Sequence, residues 1–352
     1  MFGFGAAKNV VGLDIGSSSI KAIELKKSKG QIEVTHIGFE PLASDIVVDS
    51  MIVDSGSVSS AISKIFIENT IKSRLVATSV SGHSVIVKKI AIPTMSEQEL
   101  AEHIGTEAAQ HIPFDITDVN IDFQILSEDL SGPQMDVLLV AVKKDKILNH
   151  TNVLAQAGKT PVVVDIDAFA LQNAYEVNYE PDPSQVVALL NIGASVMNIN
   201  IIRGWTPLFT RDVSVGGNQY TDALQKELDL SFEDAEKLKM GGTHAGVSEE
   251  QRTAILRSVS DILILEIQKT FDFFRATASG ENIRRIVVAG GTARVPGLLD
   301  LLKEEFAMPV EELYPFRKVA INPARHDENQ LRELAPRLAI AMGLALRSFD
   351  TP

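Results

Sequence analysis

Two segments of this chain place polar residues around a glycine turn that follows an apolar run, the arrangement that brings backbone N–H groups close to a phosphate. The first reads Leu13-Asp14-Ile15-Gly16-Ser17-Ser18-Ser19-Ile20-Lys21 and the second Leu190-Asn191-Ile192-Gly193-Ala194-Ser195-Val196-Met197-Asn198. In each, the strand stops at a glycine that can take φ > 0 and lets a ligand approach the backbone. A second strand then returns, over residues 20–26 or 196–202, and a turn signal, Ser28-Lys29-Gly30 or Arg203-Gly204, leads to a third. Two β-meanders of this kind, facing each other, would clamp a polyphosphate. Further on, Gly216, Gly217 and Asn218 stand just before a predicted helix, where unpaired N–H groups make an anion site. Gly290-Gly291-Thr292-Ala293-Arg294 joins a strand at 286–289 to another helix. A Gly-Gly turn of this type specifies little alone, but after two phosphate-type turns it points to a nucleotide loop.

The elements that must carry these turns fit a chain of two halves. At 352 residues there is ample length for two domains and a buried core. The formal charge of -13 argues against nucleic acid, which needs clustered Lys and Arg. Absence of Cys removes disulfides and thiolate metal sites and fits a reducing compartment, with the cytosol as the expected location. No stretch reaches the roughly 18 apolar residues of a membrane span; residues 338–346 come nearest. Phe2 and Phe4 at the N-terminus read as part of a frayed end, with contact to a lipid surface or partner as the alternative. His103 and His111 share a predicted helix but lack the spacing of a helical metal pair, so the only metal expected is Mg²⁺ carried by a nucleotide.

Apolar spacing predicts helices over 58–72, 146–157, 168–178, 232–240, 249–277 and 336–347, and strands over 76–80, 85–92, 120–126, 135–143 and 161–166. Ser96 to Glu99 forms a capping-box signature, and Leu100, Ile104, Ala108 and Ile112 follow at four-residue intervals until Pro113. The stretch 80–144 therefore reads as a compact module inserted into the first half. The turn-rich 129–133 joins its later strands, and the proline-marked 180–184 divides the halves. Ala339, Ala341, Gly343 and Ala345 in the last helix permit close helix approach, and with it a hinge between the halves.

The ordered set of two phosphate turns, connecting helices and adenosine-type loop resembles the actin, Hsp70 and sugar-kinase superfamily. Within it the chain resembles the PilM family, cytoplasmic actin-like proteins of type IV pilus assembly that are similar to the division protein FtsA. The first turn, the module stretch Glu107-Ala108-Ala109-Gln110-His111-Ile112-Pro113-Phe114-Asp115 and the closing Met342-Gly343-Leu344-Ala345-Leu346-Arg347 carry that likeness. The fold it implies is α/β, an actin-like ATPase fold of two ribonuclease-H-like halves around a nucleotide cleft, with an FtsA-type insert. Residues 1–79, 145–182 and 330–352 would form subdomain 1A and 80–144 subdomain 1C. Residues 183–212 and 280–329 would form 2A, and 213–279 would form 2B.

The resemblance further implies ATP and Mg²⁺ as cofactors. Asp14 would orient water on Mg²⁺, Ser17 with the turn N–H groups of Gly16 and Ser18 would hold phosphate, and Lys21 would meet the β/γ-phosphates, in keeping with the preferences of hard cations and phosphates. Gly193, Ala194 and Ser195 would form the facing turn, with Gly216, Gly217 and Asn218 alongside. Glu236 and Lys239 would bracket ribose and base, although a Glu/Lys-rich surface helix is common. Gly290, Gly291 and Thr292 match the adenosine loop, and Arg294 matches a position from which an Arg stacks on adenine. The second turn departs from the pattern: Asn191 stands where an acidic residue usually helps hold the Mg²⁺ shell. That weakens metal affinity and water activation, so binding of ATP is expected with weak or absent hydrolysis. Asp165 and Asp167 lie near the start of the connecting helix and could position water, with helix capping an equal explanation of Asp167.

The partner implied is the N-terminal cytoplasmic segment of PilN, held as an extended peptide in a groove between the inserted module and the first subdomain. This would place the chain at the inner-membrane pilus assembly complex through a protein partner, without inserting into the bilayer and with self-association open. Two other functions fit the fold. A small-molecule kinase would use Asp165 as the base for a substrate hydroxyl. An FtsA-like filament former would need a membrane-binding amphipathic segment, which Ser348-Phe349-Asp350-Thr351-Pro352 does not supply.

Overall fold

The computed structural model describes residues 9–126, 132–278, 280–323 and 325–350. Phe2 and Phe4, the opening of the turn expected at 129–133, and Thr351-Pro352 fall outside them. The first half is built on β1 (Val11–Ile15), β2 (Ser19–Ser28) and β3 (Gln31–Pro41), followed by the short pair β4 (Val47–Val48) and β5 (Met51–Ile52), helix α1 (Ser55–Glu68) and β6 (Leu75–Val80). Asp54 starts α1 by accepting the Ser57 N–H at 3.0 Å, three residues earlier than apolar spacing alone indicates. The inserted stretch gives β7 (Val85–Pro93), α2 (Glu97–Ala109), β8 (Val119–Ile125) and β9 (Gln134–Lys143). Helix α3 (Lys144–Gln156), β10 (Thr160–Ile166) and α4 (Asp167–Tyr179) then complete the half.

The second half repeats the plan with β11 (Val186–Ile192), β12 (Met197–Arg203) and β13 (Thr206–Val213). Helices α5 (Asn218–Leu228), α6 (Phe232–Lys239) and α7 (Glu249–Thr277) follow, then β14 (Ile283–Ala289), α8 (Leu298–Phe306) and β15 (Val310–Glu312). The chain returns to the first half through α9 (Glu328–Leu334) and α10 (Ala339–Leu346).

The duplication seen in the turns extends to both sheets. One has strand order β3-β2-β1-β6-β10 and the other β13-β12-β11-β14-β15. In each, an antiparallel meander is extended by two parallel strands, and the central strands are buried along nearly their whole length, as strands covered on both faces must be. Register preserves the equivalence. Asp14 pairs with Lys21, and Asn191 with Asn198; the third strands then place Phe39 opposite Lys21 and Asp212 opposite Asn198.

Helices α4 and α10 pack against each other beside the first sheet, and their interface tolerates no side chain at Gly343, which lies directly over the Ala170 carbonyl. The last helix is broken differently from the expectation. Ala335–Leu338 and Arg347–Phe349 are 3₁₀ turns flanking α10, with Pro336 in the first.

The module forms its own sheet of order β7-β9-β8. The Ser96–Glu99 capping box is present as read, and Leu100, Ile104, Ala108 and Ile112 pack on Ile90, Met135 and Val137. The apolar face of α2 is therefore the core of the module, not a docking face.

Candidate nucleotide cleft

Both glycine turns open into one cleft of about 330 Å³. In the first, the Gly16 N–H donates to the Ser19 carbonyl at 3.1 Å, and in the second the Gly193 N–H donates to Val196 at 3.0 Å. This common closure leaves the N–H groups of Ser17 and Ser18, and of Ala194 and Ser195, without a protein acceptor among the described residues. Four backbone donors thus meet one cavity from two sides. Beneath the first turn, Lys21 Nζ lies 3.0 Å from Asp14 Oδ2, and a Cβ placed on Gly16 would sit 2.8 Å from that ammonium. A side chain there would press on the movable end of Lys21 and shift the ammonium away from its place under the turn.

The helix end after Gly216 and Gly217 corrects the expected anion site. The Gly217 N–H donates to the Gly193 carbonyl at 2.9 Å and the Asn218 N–H to Ala194 at 2.8 Å, so these donors brace the second turn from behind. Gly216 packs against the same two carbonyls and does not line the cleft, whereas Gly217 and Asn218 do. Thr292 adds a hydroxyl bond to the Gly193 carbonyl at 2.8 Å, fastening the adenosine-type loop to the turn. Gly290 holds φ +91° with its N–H on the Pro336 carbonyl at 2.8 Å.

Glu236 and Lys239 line the cleft together, the Glu236 carboxylate taking bonds from the Lys239 ammonium and the Thr221 hydroxyl. Burial lowers the Lys239 pKa, and Glu236 opposes that shift. Gly291 also faces the cleft, but Arg294 is held elsewhere: its guanidinium pairs with Glu312 at 2.6 Å and donates to the Arg332 carbonyl at 2.7 Å. The arginine that does line the cavity is Arg337, lying against Gly291 with its guanidinium 5.9 Å from the Phe39 ring centroid. No local pattern marks it, because it reaches the cleft only through the return of the chain.

Asp165 is likewise withheld from the cleft. Its Oδ2 accepts Arg347 Nε at 2.8 Å and pairs with Nη2 at 2.7 Å, tying β10 to the end of α10. Asp167 takes the cleft-facing position instead. It does not cap α4, which begins from Ile166 without a side-chain cap; it lines the cleft and accepts the Ser79 hydroxyl at 2.6 Å. Burial, and secondly the Asp14 charge, push its pKa up to about 6. Behind it lies Lys146, whose ammonium donates to the Ser50 carbonyl; burial lowers its pKa to about 8 against the pull of Asp167 and Asp212.

Among the described residues there is no group of three His, Cys, Asp or Glu side chains able to hold a metal ion. A divalent cation here would take its ligands from phosphate and water. The carboxylates of Asp14 and Asp167 favour such a cation, and the free N–H groups fit the phosphates.

Paired sheets of one topology, each sending a glycine turn into a shared cleft, make this an actin-like ATPase fold. The chain belongs to the PilM family of type IV pilus assembly proteins, whose family model matches residues 12–349. It superposes on a chain of a PilM-PilN type IV pilus biogenesis complex with a TM-score of 0.87 and 28% identity, covering 98% of this chain and 100% of that one. MreB5 of Spiroplasma citri bound to ADP shares the fold at a TM-score of 0.51 and 15% identity, over 96% and 94% of the two chains. The cell division protein FtsA of Streptococcus pneumoniae is 24% identical over 93% of this chain and 80% of its own length.

An apolar groove of about 960 Å³ lies between the inserted module and the second half. It runs between β7 and β13, each at the edge of its sheet, and Phe209, Phe273 and Phe274 contribute to its wall. This groove is distinct from the one between the module and the first subdomain that the resemblance implies. Phe273 is 55% exposed, an apolar ring with no core to fill, and Lys88, Lys89, Arg211 and Lys269 rim the space. No helix among the described residues is long and apolar enough to cross a membrane.

Proposed function

We propose that this chain is an ATP-binding scaffold of type IV pilus assembly that holds the N-terminal cytoplasmic segment of PilN. The observation that carries the nucleotide part is the set of four unpaired N–H groups at Ser17, Ser18, Ala194 and Ser195 facing one cleft. Lys21 would meet the phosphate chain, Asp14 and Asp167 would hold water on the Mg²⁺ that accompanies it, and Glu236, Lys239, Gly290, Gly291 and Thr292 would surround the nucleoside. Bound Mg²⁺ supplies charge neutralisation at the phosphates. Asn191 contributes no charge to it, which keeps hydrolysis slow. A kinase reading loses its base, because Asp165 is engaged by Arg347.

The extended PilN segment would lie in the groove between β7 and β13, where edge strands offer backbone pairing and the phenylalanines offer anchors. This would bring the chain to the inner-membrane complex as a cytoplasmic, peripheral component, with self-association open. The 1A, 1C, 2A and 2B boundaries read from the sequence divide the chain accordingly.

Two variants test the two sites separately. Lys21→Ala removes a charged donor and should weaken Mg-ATP binding on the order of 10- to 100-fold by calorimetry. Phe273→Asp should weaken a synthetic PilN N-terminal peptide by about 10-fold or more, as expected of a central aromatic anchor. Retained peptide affinity in Phe273→Asp would remove the peptide from this groove.

A further inference from the structure

We infer that Asp212 is a positioning residue for the second turn, supplying through two asparagines the polarity that Asn191 cannot supply by charge. The inference rests on the nucleotide reading of the cleft and assigns a role to a residue outside it. Asn191, Asn198 and Asp212 form one cross-strand row over β11, β12 and β13. Asn191 Nδ2 donates to Asn198 Oδ1 at 2.8 Å, and Asn198 Nδ2 donates to Asp212 Oδ1 at 2.9 Å. The direction of this chain is set at its far end, because a carboxylate can only accept. Asp212 therefore orients Asn198, Asn198 orients Asn191, and the Asn191 amide is left with its oxygen available toward the cleft. An oxygen there accepts from metal-bound water; an NH₂ group would oppose it.

The second oxygen of Asp212 accepts the Gly82 N–H at 2.6 Å, and beside it His83 Nε2 meets Ser214 Oγ at 3.0 Å. Gly82 and His83 form the connection between β6 and β7, the root of the inserted module. One carboxylate thus fixes both the amide at the phosphate turn and the strand that enters the module. Replacing it with Asn leaves two N–H donors competing for one oxygen. The row can then invert, presenting the Asn191 NH₂ to the cleft.

The test is the ratio of ATP affinity with Mg²⁺ to that with EDTA, measured by calorimetry on the full chain. Asp212→Asn should reduce this Mg²⁺ enhancement by about 10-fold while leaving Mg-free affinity within about 2-fold. Asn191→Asp in that background should restore it, because a carboxylate accepts whichever way Asn198 turns. A merely structural role would lower both affinities together, with no rescue. Asn198→Leu cuts the row without touching the Asp212 bond to Gly82, should give the same selective loss, and decides the matter should Asp212→Asn not fold. An unchanged ratio in these variants, or parallel loss of both affinities, overturns the inference and leaves nucleotide binding standing. No ATP binding by the folded wild-type chain overturns the nucleotide reading itself and this inference with it.

Discussion

Gly343→Ala should lower the stability of the protein by about 3 kcal/mol or more, at the upper end of what overpacking costs. In an isolated helix the same change would be stabilising by roughly 1 kcal/mol, since alanine has the better propensity. The opposite sign is expected because every residue of α10 is buried and Gly343 rests on the Ala170 carbonyl of α4. A methyl group would overlap the O, C and Cα atoms of that residue, and none of them belongs to a side chain that can rotate away. Either α10 must lift from α4 or α4 must bend. Gly12 on β1 meets the other side of α10 in the same way, against the backbone of Ala341 and Ala345, so the helix has no slack in that direction either. A shift of the urea midpoint to lower concentration with an unchanged slope would show the loss; a shift to higher concentration would contradict the close packing.

Asp167→Asn should make the nucleotide-free protein more stable above pH 6, by up to about 3 kcal/mol, and should weaken binding of Mg-ATP. The Asp167 carboxyl has a pKa of about 6 in the fold against an ordinary aspartate value of 3.8. Between those values the folded state binds the extra proton, so the wild type loses stability as pH rises through that window. Above pH 6 it carries the full cost of an ionised carboxylate buried near Asp14. The amide carries none of that cost and can still accept the Ser79 hydroxyl. The stability difference between variant and wild type should therefore be small below pH 4, grow through pH 6 and then level off. Wild-type affinity for Mg-ATP should fall below pH 6, where the proton competes with the cation, while that of the variant should stay flat over the same range. A pH-independent stability difference would mean that the carboxylate is not under this strain.

The turns were legible because everything they need is contiguous. Glycine position, the apolar run before it and the returning strand lie within about ten residues, and the repeat of the whole pattern 177 residues later (193 − 16) identifies both copies at once. Strong apolar spacing marked both α2 and α7, and the α2 capping box was read with its helix, whereas the Ser248–Gln251 box of α7 was not. Arg294 and Asp165 were assigned to the cleft on sequence position, yet Glu312 and Arg347, their partners, come from distant segments. Arg337 escaped notice for the same reason in reverse, since it reaches the cleft through the return of the chain, whereas Asp212 lies in the local meander and needed only the β12–β13 register to be placed beside Asn198. The edge strand Val310–Glu312 is three residues long, too short for alternation to show.

The central claim is that both turns hold one nucleotide, and amide hydrogen exchange across them tests it most directly. Addition of Mg-ATP should slow exchange at Ser17 and Ser18 and, in the same titration, at Ala194 and Ser195, because both pairs of free N–H groups acquire acceptors together. Protection confined to one turn, or to neither while ATP is bound, would contradict the account.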